Sequence, residues 1–546
     1  MSRLQETAAA IRMDVVRDRV LDFPRDVQAA LINEWRDKSE TGDDPHHRHL
    51  LAGLQLQRRV ETLSQAHARI AFDDDRLTRK ARRMAHLCVR AGRLERMELI
   101  ASDANVNPPD EKKLPRVARE NRLKCEKWWR RKLRRHYSRR AEGELRELGL
   151  VRKGRGLYCS DATLNRRRDQ KQRGREILQQ ILATNDAGEA FTLLELAKTS
   201  LSNPELRRAE LMVRIRGFEE CAEAAGHVGE FYTFTTPSRF HAWHSKGKKN
   251  ARYQDGLSPR ESQAWLCACW QKIRAKLARL SIRIYGFRVA EPHHDGTTHW
   301  HLLVFAPQHH AATVRAVCRS YLLADSGNES GAFEHRFKAV RINPAMGTAA
   351  GYVAKYVAKN IDGFSVGPDL EDGNRDASAT APRVDAWAST WGIRQFQQIG
   401  GPPVGLWREL RRIRDEIRPD GVYSPHKLKL LETARQAADA GEWRTFVDIL
   451  GGPTRNRDAI PIALEKELTG ECTEYGEPRA AAIVGVRCSA IVVMTRLTRW
   501  LFSFLDAVGG AWTRVNNCTA AIADEYERFL QECDPPTKQR MIAYGN

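Results

Sequence analysis

The sequence predicts an α+β protein, in which a central domain built on an antiparallel sheet lies between mainly helical N- and C-terminal regions. Residues 1 to about 225 show long Arg- and Leu-rich stretches with helical periodicity. Strand-like and helix-like segments then intermingle around a short hairpin turn. Helical character returns beyond Trp407. At 546 residues the chain is also too long for one ordinary core. We therefore expect three parts, at residues 1–225, 226–415 and 416–546.

The central part begins with a strand at residues 231–236, because aromatic and β-branched residues favour strands and Pro237 ends the run. Ser258 and Pro259 are a typical N-cap and first-turn pair, so a helix should follow to about Leu280. Asp295-Gly296 supplies a turn. The remaining predicted elements are strands at 281–289, 300–305 and 333–342, a helix at 311–323 and a helix from Pro344.

Two further segments have a distinct composition. Residues 363–382 are rich in Gly, Asp, Ser and Pro and predict a mobile loop. Residues 480–512 are more apolar but include three arginines, which favours a buried or partner-facing helix pair over a membrane segment.

The chain is strongly basic. It has 90 Lys and Arg residues against 69 Asp and Glu, a formal charge of +21, and a pI of about 9.7. A protein with this balance usually meets a polyanion, because phosphate contacts release counterions. We expect no membrane association and a cytoplasmic location, since neither a spanning apolar run nor an apolar leader is evident. The eleven cysteines are scattered without a CxxC pair, so we expect reduced thiols.

The densest charge run lies between Lys112 and Arg140, with fourteen basic and two acidic residues. Aromatic residues interleave with the cations, an arrangement that suits a nucleic-acid strand. The candidate DNA-binding residues are Trp128, Trp129, Arg130, Arg131, Arg134 and Arg135. The alternative is a solvated helix whose two tryptophans pack inward.

His299 and His301 are candidate metal ligands. Residues i and i+2 of a strand point to the same face, so their imidazoles can share one ion. Folding of the hairpin would bring Glu291 beside them, and His293 and His294 are rival third ligands. Such a nitrogen and oxygen set suits Mg²⁺, Mn²⁺ or another divalent ion. A surface hairpin with hydrogen-bonded histidines is the simpler alternative.

A second candidate group lies on the helix predicted after Asn343-Pro344. Tyr352, Lys355, Tyr356 and Lys359 cluster on one side of that helix, opposite its valines. Ordinary core tyrosines would share the apolar side. The lysines can lower a phenol's pKa and bind a phosphate. We therefore expect at least one tyrosine to act as a nucleophile.

A metal that polarises a phosphate and two phenols that attack it would form a DNA strand-transfer site. Attack on a phosphodiester leaves a free 3′-OH and a 5′-phosphotyrosine bond, which retains the energy for rejoining. The 3′ end can prime synthesis, and the second tyrosine can cut the regenerated junction after one circuit. No GxxxxGK[ST] motif is evident, so we expect a separate host helicase to unwind the duplex.

The motifs resemble those of the HUH endonuclease superfamily. Residues 297–303, Thr-Thr-His-Trp-His-Leu-Leu, look like its metal motif, and residues 351–360, Gly-Tyr-Val-Ala-Lys-Tyr-Val-Ala-Lys-Asn, look like its two-tyrosine motif. Residues 231–240 are similar to its first strand motif. Residues 387–396 and 400–403 also look like the phage replication gene A protein family. The resemblance covers residues 225–415.

The resemblance implies a central HUH-type endonuclease domain that nicks and religates single-stranded or locally melted origin DNA and initiates rolling-circle replication. It makes His299 and His301 metal ligands and Tyr352 and Tyr356 nucleophiles. Glu291 is the candidate for the third ligand, whose position varies across the superfamily. A relaxase or transposase of the same superfamily is an alternative. Another is a non-catalytic DNA-binding regulator whose histidines hold a structural ion, although no four-ligand cluster lies near His299.

Overall fold

The computed structural model describes residue 13 and residues 15–40, 45–70, 74–343, 348–363, 377–418 and 424–505. Within these residues, helices flank antiparallel sheets, which confirms the predicted α+β class.

Helices fill the N-terminal part as far as residue 180. Their bounds are α1 (15–20), α2 (Arg25–Glu40), α3 (Pro45–Ile70), α4 (Asp74–Ala91), α5 (Leu94–Asp103), α6 (Arg116–Lys124), α7 (Glu126–Glu147) and α8 (Asp161–Gln180). The long helix α7 joins two hydrophobic cores: its Trp129 and Leu133 pack with α4 to α6, and its Leu145 packs with α2 and α3. Burial of these side chains therefore orders the helical region around α7.

The mainly helical N-terminal part also contains one small sheet. Strands β1 (Ile181–Asn185) and β2 (Ala190–Thr192) follow α8 and pair antiparallel. Helices α9 (Leu193–Lys198) and α10 (Pro204–Ala225) then complete this part. Asn203 caps α10 and Gly226 ends it in the left-handed conformation.

A five-stranded antiparallel sheet forms the centre of the molecule, in the order β6-β3-β5-β4-β7. Its strands are β3 (His227–Phe234), β4 (Tyr285–Pro292), β5 (Thr298–Pro307), β6 (Phe337–Arg341) and β7 (Phe396–Ile399). Four of them correspond to the predicted strands within a few residues, and β7 adds an edge. Strand β5 is paired on both sides, so its residues are almost all buried.

Helices of the central part pack on both faces of this sheet. They are α11 (Pro259–Arg279), α12 (Gln308–Leu323), α13 (Ala332–His335), α14 (Ala349–Ile361), α15 (Ala377–Trp391) and α16 (Val404–Leu410). Ser258 caps α11 in a capping box with Glu261, as its sequence predicts. Helix α15 begins inside the segment predicted to be a loop, whereas residues 364–376 of that segment lie outside the described residues.

The two faces of the sheet have separate cores. Alternation along the strands sends Phe231, Phe287 and Leu303 to the face covered by α10 and α14. It sends Phe234 and Trp300 to the other face, which α11, α12 and α15 cover. Because both faces are buried, a one-residue slip of β5 would exchange its two sets of side chains, so the register is strongly fixed.

The structure corrects the helical prediction for the C-terminal region. Only α17 (Pro425–Asp439) and α18 (Trp443–Ile449) are α-helices there among the described residues. The apolar stretch forms strands instead of a helix pair between residues 480 and 505, and its residues 506–512 lie outside the described residues. The strands of this region are β8 (Ile462–Glu467), β9 (Ala482–Cys488), β10 (Ile491–Met494) and β11 (Trp500–Phe504). Isoleucine and valine dominate β9 and β10, and β-branched residues favour strands.

The C-terminal segment returns to the N-terminal region at two places. Strand β11 pairs antiparallel with β1 from Ile181↔Phe504 to Asn185↔Trp500. Before it, Glu477 forms an ion pair with Arg122 at 2.6 Å. These two contacts join the C-terminal segment to the N-terminal region.

Arg146 joins α7 to the turn between β4 and β5. Its guanidinium donates to the backbone carbonyl of Asp295 at 2.7 Å, to the Asp295 carboxylate at 3.1 Å and to Thr297 Oγ1 at 2.8 Å. It also donates to the carbonyls of Phe240 and Leu257. Burial alone would raise the pKa of Asp295, but the charges of Arg146 and His241 hold that pKa well below its ordinary range. This buried ion pair therefore anchors the helical region to the hairpin.

None of the helices in the described ranges is long and apolar enough to cross a membrane. The nine cysteines in those ranges are all free thiols.

We expect Arg146→Met to lower the free energy of unfolding by about 3–5 kcal/mol, because it leaves the Asp295 carboxylate buried without its cation. Arg216→Met is the matched control, since its ion pair with Glu220 is exposed and should contribute at most about 1 kcal/mol. Urea denaturation followed by tryptophan fluorescence measures both. Equal effects of the two substitutions would contradict the anchoring role of Arg146.

Candidate metal and tyrosine site

The two histidines of β5 lie on the sheet face that packs against α14. Both are buried, and their Nε2 atoms are 3.0 Å apart. Thr233 of the neighbouring strand β3 lies opposite His301, and its Oγ1 is 3.2 Å from His301 Nδ1. If Nδ1 carries the proton and donates it to this hydroxyl, Nε2 of His301 has a free lone pair.

Glu291 completes this group from the adjacent strand. The register of β4 and β5 places it directly opposite His299, as the predicted hairpin requires. Its Oε2 is 3.9 Å from Nε2 of His299 and 3.9 Å from Nε2 of His301. The carboxylate is 1% exposed, so its charge lies in a site from which water is largely excluded.

The imidazoles are held in the neutral form. Burial first, and then the charges of His301 and His293, lower the pKa of His299 well below its ordinary value. Burial, and to a smaller extent the charges of Lys359 and Lys355, lowers the pKa of His301 to about 3. Neutral imidazole is the form that binds a metal ion.

The rival third ligands are placed differently. His294 directs its Nε2 at the backbone carbonyl of Trp243, 3.0 Å away. His293 belongs to a neighbouring group with His241 and Asp295, whose possible ligand atoms lie within 4.8 Å of one another. The carboxylate of that group already accepts from Arg146 and from backbone amides.

The chemistry of the donor set at Glu291, His299 and His301 fits a divalent cation. Two neutral imidazoles and one carboxylate converge within 4.8 Å, and such mixed sets leave coordination positions for water or a phosphate oxygen.

Helix α14 carries the two tyrosines, and it begins later than predicted. Thr348, not Asn343, is its N-cap, and the Thr348 hydroxyl accepts from the Gly351 amide at 3.0 Å. Residues 344–347 lie outside the described residues. The Glu219 carboxylate of α10 also accepts from the first amides of the helix, including that of Ala350 at 3.1 Å. A carboxylate at a helix N-terminus is favoured by the helix dipole.

Tyr356 is the tyrosine in direct contact with the histidine pair. Its ring centroid is 4.1 Å from that of His301 and 5.1 Å from that of Phe231. Tyr352, one turn earlier, is also half-buried and packs at the edge of the same core. Val353 and Val357 occupy the fully buried side of the helix, as the helical wheel predicts.

The two lysines of the helix have different surroundings. Lys355 is exposed, with its Nζ 5.7 Å from the Tyr356 ring centroid. Lys359 is only 8% exposed and directs its Nζ toward Glu291 Oε2 at 3.9 Å. The prediction grouped both with the tyrosines as cations beside a phosphate, whereas the structure places Lys359 against the carboxylate.

Asn360 is a site residue that the sequence analysis missed. Its Nδ2 donates to Glu291 Oε1 and to the carbonyl of Tyr356. Its Oδ1 accepts from Gln395 Nε2 at 3.1 Å. Asn360 therefore connects the end of the tyrosine helix to the carboxylate opposite His299. Its place one turn after Tyr356, in the last turn of the tyrosine helix, was the available signal.

The candidate DNA-binding residues of α7 divide into two groups. Trp128 and Trp129 are 5% and 0% exposed and pack in the helical core, so their rings are not available to stack on a base. Arg131 donates to the Tyr475 hydroxyl at 2.7 Å. The remaining cations are Arg130 and Arg134, which are half-buried, and Arg135, which is exposed.

Comparisons with known proteins agree with the resemblance of the motifs. The family model for the bacteriophage replication gene A protein matches residues 54–364. The chain is 39% identical over 425 residues to the replication gene A protein of Escherichia phage 186, a match that covers 74% of this chain and 60% of the relative.

Two further relatives have similar coverage. A probable replication protein, P12, of Pseudoalteromonas phage PM2 is 38% identical, over 73% of this chain and 61% of its own length. A probable replication endonuclease from prophage-like region 1 of Salmonella typhi is 32% identical, over 73% and 52%.

The chain spans about half to three fifths of the length of these curated relatives. No solved structure matches it. Since the family model covers more than half of the sequence and includes both motifs, the chain belongs to the bacteriophage replication gene A protein family.

Proposed function

We propose that this protein is a replication-initiating DNA endonuclease that nicks one strand through a 5′-phosphotyrosine bond and later religates the product. The observation that carries the proposal is the contact between the tyrosine helix and the histidine pair, with the Tyr356 and His301 rings 4.1 Å apart. Relatives named replication endonucleases support the same class of reaction.

In the proposed reaction, the Oη atom of a tyrosine attacks the scissile phosphorus. A Tyr–O–P bond forms, the P–O3′ bond breaks, the phenol loses its proton and the 3′ oxygen gains one. His299, His301 and Glu291 would hold Mg²⁺ or Mn²⁺, which withdraws charge from the phosphate when bound. Lys355, exposed beside Tyr356, would bind a phosphate oxygen of the strand.

Two tyrosines permit two transfers. After the first cut the 3′-OH primes synthesis, and the other phenol can attack the regenerated junction. Tyr352 and Tyr356 both lie at the border of the same core, which supports their serving one metal group. The second 3′-OH then displaces the first tyrosine and closes a circle.

The proposed substrate is single-stranded or locally melted origin DNA, and a separate helicase would unwind the duplex ahead of the site. Strong unwinding by the purified chain with ATP would contradict the helicase part of the proposal.

We expect Tyr352→Phe/Tyr356→Phe to reduce cleavage of end-labelled single-stranded DNA on the order of a thousandfold or more, because no nucleophile remains. Each single variant should retain a covalent adduct through the other tyrosine. A denaturing gel with Mn²⁺ detects both products. Tyr321→Phe is the control, since Tyr321 packs against the opposite face of the sheet.

If the double variant formed a 5′ adduct as well as the unchanged protein does, the tyrosine mechanism would be wrong. If the unchanged protein bound DNA but formed no adduct with any metal, the regulator alternative would replace it.

We expect His299→Ala and His301→Ala each to weaken Mn²⁺ binding at least about tenfold in isothermal titration calorimetry, because each removes one ligand. Glu291→Gln should weaken it comparably by removing the negative charge. His309→Ala, an exposed histidine at the start of α12, is the control. A larger loss with His293→Ala than with Glu291→Gln would instead make His293 the third ligand.

We expect Asn360→Ala to weaken Mn²⁺ binding by about 10- to 100-fold, because Glu291 would lose the hydrogen bond that orients it. Calorimetry measures this change without turnover. Asn456→Ala, an exposed asparagine far along the sequence, should bind Mn²⁺ normally. An unchanged affinity in Asn360→Ala would exclude the positioning role.

A further inference from the structure

A basic cleft of about 630 Å³ lies between helix α7 and the start of helix α11. One wall is formed by α7 of the helical region, and the other by residues 253–261 of the central part together with Trp391. We call it the α7–α11 cleft. Its volume is in the range of ligand-binding pockets, although it is not the tyrosine site.

The α7 wall of the cleft is a continuous stripe of the helix. Lys132, Arg135, His136, Arg139 and Arg140 line it, and their spacing of three or four residues puts them on one face. Trp129, Leu133 and Tyr137 lie on the neighbouring buried face. The basic run of the sequence therefore presents its cations to this cleft while its aromatic residues form the core.

The carboxylates at the cleft are already engaged. Glu144 and Glu147 form ion pairs with Arg59. Glu261 accepts from Ser258 in the capping box of α11.

Within the described residues, three cations of the cleft make no side-chain hydrogen bond, and the Lys132 Nζ lies 5.3 Å from the centroid of the Trp128 ring. Among the described residues, no salt bridge includes Lys132, Arg135 or Arg260, which all line the cleft. Arg139, by contrast, donates to the carbonyls of Thr390 and Trp391, and Arg140 donates to the Thr62 hydroxyl at 3.1 Å.

The cations of the cleft repel one another. Burial, together with Arg260 and Arg135, lowers the pKa of Arg139 to about 10. Burial, and then Arg135 and Arg131, also lowers the pKa of Lys132. An anion in the cleft would reduce this repulsion, because its negative charge would lie among the positive charges of the arginines and the lysine.

The lining favours a phosphate backbone over bases. Tyr253 is half-buried with its hydroxyl bonded to the carbonyl of Leu257, and Trp391 is buried. The Arg146 guanidinium lies 5.4 Å from the centroid of the Tyr253 ring, so one face of that ring is already occupied. Arginine and lysine without carboxylate partners suit phosphodiester oxygens of any sequence.

We propose that the α7–α11 cleft binds the phosphodiester backbone of a single DNA strand through Lys132, Arg135 and Arg260. That the bound polyanion is DNA rests on the proposed function. Arg146 lines the cleft and also holds the β4–β5 turn, so the strand would lie beside the hairpin that carries His299. The contact is independent of base sequence and adds affinity without taking part in the chemistry.

The test compares salt dependence of DNA binding in two matched triple variants. Lys132→Gln/Arg135→Gln/Arg260→Gln removes the three cleft cations. Lys272→Gln/Arg274→Gln/Arg279→Gln removes one lysine and two arginines from the exposed surface of α11 outside the cleft. Binding of a fluorescent oligothymidylate is measured by anisotropy over a range of NaCl concentrations.

We expect the plot of log K against log salt to become less steep by about 2 in the cleft variant, because a single strand contributes about 0.7 per phosphate contact. The control variant should retain the slope of the unchanged protein. Arg135→Lys/Arg260→Lys should also retain it, since the charges remain. Circular dichroism and thermal melting confirm that each variant is folded.

An unchanged slope in the cleft variant, or an equal decrease in both triple variants, would overturn the proposal. So would absence of salt-dependent binding by the unchanged protein, or an equal loss for a duplex of the same length. Loss of the tyrosine adduct with binding intact would refute the endonuclease instead, so the two failures are distinguishable.

Discussion

The buried carboxylate of Glu291 is the constraint around which the candidate site is arranged. A carboxylate that is 1% exposed is costly to bury unless cations or hydrogen bonds offset the loss of water. Here Lys359 approaches one oxygen and Asn360 donates to the other, and both belong to the tyrosine helix. The histidines face the same oxygen as Lys359. The contacts of Lys359 and Asn360 with the Glu291 carboxylate therefore hold the helix and the hairpin together. A divalent cation would further offset the negative charge of that carboxylate.

The sheet and the helical region reinforce this arrangement from outside. Pairing of β5 on both sides fixes which face receives His299 and His301. Arg146 of α7 fixes the turn between β4 and β5 through a side chain that is 2% exposed. The helical region is thus part of the structural support of the hairpin as well as the source of the basic cleft. An isolated central domain would lack that support and would leave Asp295 without its cation.

Much of the central fold was predictable, because its signals are local. Ser258-Pro259 predicts the start of a helix, and the alternation of apolar and polar residues around residues 281–305 predicts two strands and a turn. The strand and the helix that carry the site residues were predicted from the two-residue and 3.6-residue periodicities of the sequence. Three other features could not be predicted in this way. Asn360 acts through a contact with Glu291, 69 residues away, which no local pattern contains. The two tryptophans of α7 could contact a nucleic acid or pack inward, and only the tertiary structure distinguishes these alternatives. The C-terminal strands were predicted as helices, because apolar composition alone does not distinguish a buried helix from a strand.

The pairing of β1 with β11 affects the order in which the chain can fold during its synthesis. Ile181 meets Phe504 across more than half of the polypeptide, and the Arg122–Glu477 ion pair spans a similar separation. Contacts at such sequence distance form slowly, because a long loop must close first. During synthesis, β1 and β2 would emerge from the ribosome well before β11 exists. The outer edge of β1 would then stay open to other strands until translation reached residue 500. The helical region and central sheet can collapse in the meantime, so completion of this small sheet would be a late event in biogenesis.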